Sequence, residues 1–202
     1  MKILITGFAG FIGFHAAQEF LRRGWEVAGI DNFCDYYDVK LKRDRAALLE
    51  GQRGFSALEL DICDLEGLRG AFAAEAPDVV LNLAAQPGVR YAIDHPFVYQ
   101  KTNIEGFLNV LECCRHAAKV PKLVFASSSS VYGAWYRPDM ALSLFADAML
   151  HGRPIKVFNH GDMLRDFTYV DDIVDGIVRV VEAQDLRSTT SSTSATIEAK
   201  SF

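Results

Sequence analysis

Short apolar runs alternate with longer amphipathic stretches along the first 126 residues. Residues 2–6 (KILIT) read as a buried strand, 7–13 as a glycine-rich turn, and 14–23 as a helix that Gly24 stops. Further strands are expected at 27–31, 55–60, 79–82 and 122–126. Helices are expected at 41–49, 65–76 (closed by Pro77) and 97–118. Strands alternating with helices require right-handed crossovers and a parallel sheet covered on both faces. The strands are short and nearly all apolar, as such burial demands. The expected fold class is therefore α/β, a Rossmann-like doubly wound parallel sheet.

After Gly133 the rhythm changes. Residues 141–150 and 172–182 read as helices and 155–158 as a strand, while the Ser/Thr-rich end from 188 on has no apolar period and reads as disordered. The organisation expected is a Rossmann domain over 1–133, a fragment of a small C-terminal substrate domain over 134–187, and a tail over 188–202.

Composition narrows the function classes. The chain has 202 residues, 50% hydrophobic and 23% charged, with a net charge of -5. That is a globular balance without the basic surplus of a nucleic-acid binder. No apolar stretch is long enough to span a membrane. Cys34, Cys63, Cys113 and Cys114 form no C-x-x-C pair and read as free thiols of a reducing cytoplasm. The five histidines lack metal-ligand spacing, so no metal is expected.

The chemistry begins at Thr6-Gly7-Phe8-Ala9-Gly10-Phe11-Ile12-Gly13. A glycine turn between a strand and a helix lets a diphosphate approach backbone N–H groups at the helix N-terminus, where a Cβ would block it. The spacing is G-x-x-G-x-x-G, not the more general G-x-G-x-x-G. Asp31, ending the second strand, stands at the interval of a carboxylate that binds adenosine ribose hydroxyls. Such a carboxylate repels a 2′-phosphate, which favours NAD over NADP. The bland alternative is a tight turn packed for structural reasons.

On these residues the chain resembles the extended short-chain dehydrogenase/reductase superfamily, within it the NAD-dependent epimerase/dehydratases, and especially the UDP-glucuronate 4-epimerases and their capsular-polysaccharide relatives. The segments that carry the resemblance are TGFAGFIG, GIDNFCDYYDVKLKRDR, DICD, NLAAQPGVRYAIDHP, TNIEGFLNVLECCR, FASSSSVYG, RPDMAL and FNHGDMLRDFTYVDDIV.

The resemblance implies roles. Gly7, Gly10, Phe11, Ile12 and Gly13 would cradle the NAD diphosphate. Asp31 and Asn32 would hold the ribose, and Asp61 and Ile62 would flank the adenine. Leu83, Ala84 and Ala85 would line the nicotinamide half, with Asn103 in the helix behind. Ser128 would be the active-site Ser/Thr. Arg90 would face the sugar, Arg137, Asp139 and Met140 the uridine, and Arg165 the diphosphate of a UDP-sugar. Each has a plainer reading: Asp61 as a helix cap, Arg90 as a surface cation, 127–130 as a polar loop, Arg165–Asp166 as a local ion pair. The resemblance also implies C4 epimerisation through a transient 4-keto sugar, with bound NAD regenerated, and a homodimer.

One part is missing. The resemblance calls for Y-x-x-x-K, a tyrosinate base with a lysine one helical turn on. Of the seven tyrosines only Tyr36 has a lysine at that offset, Lys40, in a segment the relatives carry as a loop and helix start. Val131-Tyr132-Gly133-Ala134-Trp135-Tyr136-Arg137-Pro138-Asp139-Met140 looks like two separate V-Y-G elements fused, as an internal deletion would leave them. The expectation is an impaired epimerase with an exposed apolar patch. The alternatives are a nucleotide-sugar 4,6-dehydratase, disfavoured because Ser129 and Ser130 stand where that chemistry places carboxylates, or an NAD-binding module without turnover.

Overall fold

The computed structural model describes residues 1–126, 153 and 169–183. The expectations at 141–150, at 155–158 and from 188 on lie outside the described residues.

Five parallel strands form one sheet, β1 (Lys2–Thr6), β2 (Glu26–Asp31), β3 (Phe55–Glu59), β4 (Val79–Asn82) and β5 (Lys122–Phe125), in the order β3-β2-β1-β4-β5. Helices α1 (Phe11–Arg22), α2 (Val39–Glu50), α3 (Leu65–Glu75), α4 (Val89–Asp94), α5 (Pro96–Tyr99) and α6 (Phe107–His116) fill the crossovers, and α7 (Val170–Glu182) follows β5. The sheet is the expected Rossmann-like arrangement.

The period of two along β1 sorts the core. Ile3 and Ile5 point to one face, where they meet Phe14, Ala17 and Phe20 of α1 and Val174 and Val178 of α7. Leu4 points to the other, with Leu68 and Phe72 of α3 and Val110, Cys113 and Cys114 of α6. Both faces are thus covered by helices. The edge is less apolar than the sequence pattern suggests: residues 56–59 of β3 are exposed, as befits a strand with neighbours on one side only. All four cysteines are free thiols.

Helix α7 buries Val170, Ile173, Val174, Val178 and Val181, a single stripe at helical spacing, against α1 and β5. It therefore belongs to the sheet's layer and braces the helix that opens the glycine turn.

The helix expected over 97–118 is interrupted. α5 and α6 are joined by a π-helical segment, Gln100–Gly106, whose wider turn shifts the helical register. Along this rod Phe97, Ile104, Leu108 and Leu111 are exposed, with Phe97 82% and Leu108 53% accessible. Among the described residues no helix is long and apolar enough to cross a membrane.

Candidate functional site

The C-terminal ends of β1, β2 and β4 lie side by side, and the residues singled out in the sequence gather there. The chain leaves β1 through Gly7, whose φ of +73° suits glycine alone. A Cβ on Gly7 would lie 2.8 Å from the Ala84 nitrogen, so the turn and the segment after β4 are in backbone contact. Gly7 N–H donates to the Ile30 carbonyl (2.7 Å) and Gly10 N–H to the Gly7 carbonyl (3.0 Å). Gly13 packs the first turn of α1 on the Gly7 carbonyl, where a Cβ would collide.

Helix α1 begins at Phe11, with Gly10 as its N-cap, three residues before the start expected from its apolar period. No side chain caps it and no acidic residue occupies its first turn. The first-turn N–H groups of Phe11, Ile12 and Gly13 have no intrahelical acceptor. With the positive end of the helix dipole behind them, they form an anion cradle. The three glycines also serve close backbone packing, of the turn on itself and on the segment after β4.

Asp31 closes the site at the end of β2. It is buried, 7% accessible. One oxygen accepts the Phe33 N–H (2.8 Å) and the other the Ala9 N–H (3.2 Å), so the carboxylate ties β2 to the glycine turn. Burial pushes its pKa up, against the opposing pull of Lys42, those two N–H groups and Arg43. Phe33 follows in the left-handed region, φ +49°. Its ring stands edge-on to Phe8 with the Arg43 guanidinium 3.7 Å from its centroid.

Asn32 links Asp31's strand to the end of β3, donating from Nδ2 to Asp61 (3.0 Å). Burial alone would raise the pKa of Asp61, but the Cys63 N–H (2.8 Å) and the Asn32 amide outweigh it and hold it low. The cap of α3 is Asp64, which accepts the Gly67 N–H, so Asp61 is not spent as a cap. Ile62 is buried beside it. Asp31, Asn32, Asp61 and Ile62 thus come together beyond the ends of β2 and β3. Burial, then Asp61, pushes the neighbouring Cys63 thiol up to about 12, which makes it a poor nucleophile.

On the other side of β1, Thr6 Oγ1 donates to Asn82 (2.7 Å) and accepts the Ala84 N–H (3.2 Å). Leu83 and Ala84 are held against the turn by these bonds, and Ala85 is exposed. Asn103 lies in the π-helical segment and bonds the Gln86 backbone through both its amide atoms. Arg90 is exposed on α4. Ser128, Arg137, Asp139, Met140 and Arg165 lie outside the described residues.

Tyr36 and Lys40 do not form a base pair of the required kind. The Lys40 ammonium is exposed and bonded to Asp44 (2.6 Å), while the Tyr36 ring packs on Tyr91. The sequence reading missed other residues at this site. Lys42 and Arg45, both buried on α2, reach back to the Cys34 and Ala9 carbonyls. Their only sequence signal is a run of basic residues, which usually marks a solvated face.

Comparison with known proteins agrees with this geometry. The family model GDP-mannose 4,6 dehydratase matches residues 4–141, and NAD dependent epimerase/dehydratase family matches residues 136–190. Protein CapI of Staphylococcus aureus is 40% identical, covering 90% of this chain and 70% of its own length. UDP-glucuronate 4-epimerase 4 of Arabidopsis thaliana is 38% identical over 90% of this chain and 54% of its own length, so the chain spans about half of that relative. The crystal structure of UDP-glucuronic acid 4-epimerase from Bacillus cereus with UDP-glucuronic acid and NAD superposes with a TM-score of 0.80 at 32% identity, over 91% of this chain and 74% of that one.

The alignment with CapI runs over 234 residues but takes in 90% of this chain's 202, so about 50 of its positions lack a counterpart here. The two family models overlap at 136–141, at the end of the segment 131–140 that the sequence reading singled out. The uncapped glycine-lined helix, the buried acid beside it and these matches agree: the chain belongs to the NAD-dependent epimerase/dehydratase family.

Proposed function

We propose that this chain binds NAD and a UDP-sugar on the framework of a UDP-glucuronate 4-epimerase, converting UDP-glucuronate to UDP-galacturonate, with turnover impaired. The observation that carries the reading is the bare N-terminus of α1, lined by Gly7, Gly10 and Gly13, with Asp31 bonded to the turn beside it.

The residues fit the dinucleotide. The N–H groups of Phe11, Ile12 and Gly13 hold its diphosphate. Asp31 and Asn32 take the adenosine ribose, and Asp31 disfavours a 2′-phosphate. Asp61 and Ile62 flank the adenine, and Leu83, Ala84 and Ala85 line the nicotinamide half. Bound there, NAD would supply the hydride acceptor and donor that inversion at C4 of the sugar requires. Ser128 orients the sugar hydroxyl, Arg90 lies at the sugar end, and Arg137, Asp139, Met140 and Arg165 hold the UDP portion.

The impairment follows from the sequence. No tyrosine outside the Tyr36 segment has a lysine four residues on, and Lys40 is engaged by Asp44. Loss of a general base slows such a step by about 10²–10⁴-fold. The positions of CapI without counterpart here, together with the fused V-Y-G element, account for the loss as an internal deletion.

The test has two arms. Titration with NAD is expected to give a saturable signal. Incubation with UDP-glucuronate and NAD, read by product chromatography, is expected to show little or no UDP-galacturonate. Rapid conversion would overturn the impairment, and a folded chain without NAD binding would overturn the whole reading.

A further inference from the structure

We propose that the loop between β2 and α2, residues 32–38, is a strap across the cofactor's diphosphate, latched by Tyr36 against Gly88 and Tyr91, and that this latch governs how slowly the dinucleotide leaves. The proposal rests on the cofactor reading above and adds binding residues to it.

The topology supplies the argument. Strands β2 and β4 flank β1 on opposite sides, and Ile30 and Asn82 both pair with Thr6 at its end. Neighbouring strands lie roughly 4.8 Å apart, so the ends of β2 and β4 stand about 10 Å apart with the glycine turn between them. Tyr36, beyond the end of β2, nevertheless places its hydroxyl where a Cβ of residue 88, beyond the end of β4, would be. Its ring meets Tyr91 at 5.2 Å between centroids and 66° between planes. The chain from Asp31 to Tyr36, this contact, and the chain from Gly88 back to Asn82 close a bridge over the end of β1. A dinucleotide that lies across the carboxyl edge of the sheet, with its diphosphate on α1, passes under that bridge.

Both abutments are fixed. On the β4 side, Gly88 has φ +99° and no Cβ, and the Tyr99 hydroxyl donates to the Pro87 and Gly88 carbonyls. On the β2 side, the Lys42 ammonium donates to the Cys34 carbonyl (2.9 Å) and lies 4.8 Å from the Tyr37 ring centroid. Between these anchors the crossing runs through the Tyr36 side chain. The chemistry makes a latch tolerable: in a redox-neutral epimerisation the cofactor ends each cycle in its starting state, so slow exit does not limit turnover.

The experiment is NADH release from the purified full chain, chased with excess NAD and followed by nicotinamide fluorescence. Tyr36→Ala is expected to release NADH at least about five-fold faster, because loss of a contact made in the complex shows mainly in the off-rate. Tyr36→Phe keeps the ring on Tyr91 and is expected to stay within about two-fold of the parent. An unchanged rate in Tyr36→Ala, with saturable binding intact, overturns the latch alone. No saturable NADH signal from the folded parent overturns the cofactor reading itself.

Discussion

Asn103 clamps both backbone groups of a single residue: its Oδ1 accepts the Gln86 N–H at 2.7 Å, and its Nδ2 donates to the Gln86 carbonyl at 3.1 Å. The clamp fixes the segment that continues from Leu83, Ala84 and Ala85, and both amide atoms are used in doing so. Asn103 is therefore a positioning residue for that segment. Replacing it with alanine removes two hydrogen bonds worth about 0.5–1.5 kcal/mol each. Because Asn103 is partly solvent-exposed, the expected loss is about 1–2 kcal/mol, read from the urea midpoint, with weaker NAD binding. Unchanged stability and unchanged affinity together would refute the clamp.

Two glycines in helices should respond in opposite senses to alanine. At Gly13 the added Cβ meets the Gly7 carbonyl, and the Phe8 Cα at 2.8 Å. These are backbone atoms, so α1 must move off the turn. Overpacking of this kind costs about 1–3 kcal/mol, against a helix-propensity gain of about 1 kcal/mol. Gly13→Ala is expected to destabilise the fold and abolish NAD binding. At Gly70, exposed on α3, nothing lies within 4 Å of the added atom. Gly70→Ala should stabilise by about 0.5–1 kcal/mol. Thermal unfolding of both variants checks the contrast.

The same physics explains what the sequence disclosed. Strand β4 was legible to the residue, because the apolar run Val79–Leu81 starts after Asp78 and ends at the polar Asn82. Helix α1 was legible as a helix but not from its true start, because Gly10 and Gly13 are poor helix formers placed there for close approach. Helix α4 was missed: its six residues are too few to show a period. The π-helical segment was hidden for a related reason. An apolar stripe reports which face is buried and not the number of residues per turn, so 97–118 read as one helix and the clamp on Gln86 could not be foreseen. Tyr36 drew notice only for its lysine neighbour, whereas its place in the structure depends on a contact with Gly88, which lies in a different crossover of the fold.

Asp31 carries a pH signature with a definite sign. Burial raises its pKa, so the folded state holds the proton more tightly than the unfolded state does. The resulting stabilisation is present below the unfolded pKa, near 4, and is lost as pH rises through the folded value. At neutral pH the buried carboxylate is thus a cost to the empty protein. Asp31→Asn removes that titration. The difference in unfolding free energy between variant and parent should shift in the variant's favour as pH rises from about 3 to about 7. NAD affinity should fall by about ten-fold or more, as expected for loss of a charged hydrogen-bond acceptor. Parallel pH profiles for the two proteins would contradict the assignment.

The docking of α7 onto the sheet tests which of two electrostatic contacts dominates. Arg23 on α1 meets Glu182 near the end of α7 at 3.1 Å, but both side chains are substantially exposed, and such a pair is worth under about 1 kcal/mol. Lys122 on β5 is different. Its ammonium is half-buried and donates to the carbonyls of Val180 (2.5 Å), Val181 (2.8 Å) and Ala183 (2.7 Å). Those are the carbonyls a helix leaves without partners at its C-terminus, where the dipole favours a cation. Lys122→Met keeps the apolar stem and removes the cap. The expected cost is about 2–3 kcal/mol, since hydrogen bonds to a charged group are worth about 1.5–3 kcal/mol and these share one donor. Amide exchange should accelerate across Val170–Glu182 before it does in β1 and β4, because α7 is held by one stripe and one cap whereas those strands are paired on both sides. Arg23→Ala should leave that exchange nearly unchanged. If the two variants loosened α7 equally, the ion pair and not the lysine cap would be holding the helix that braces α1.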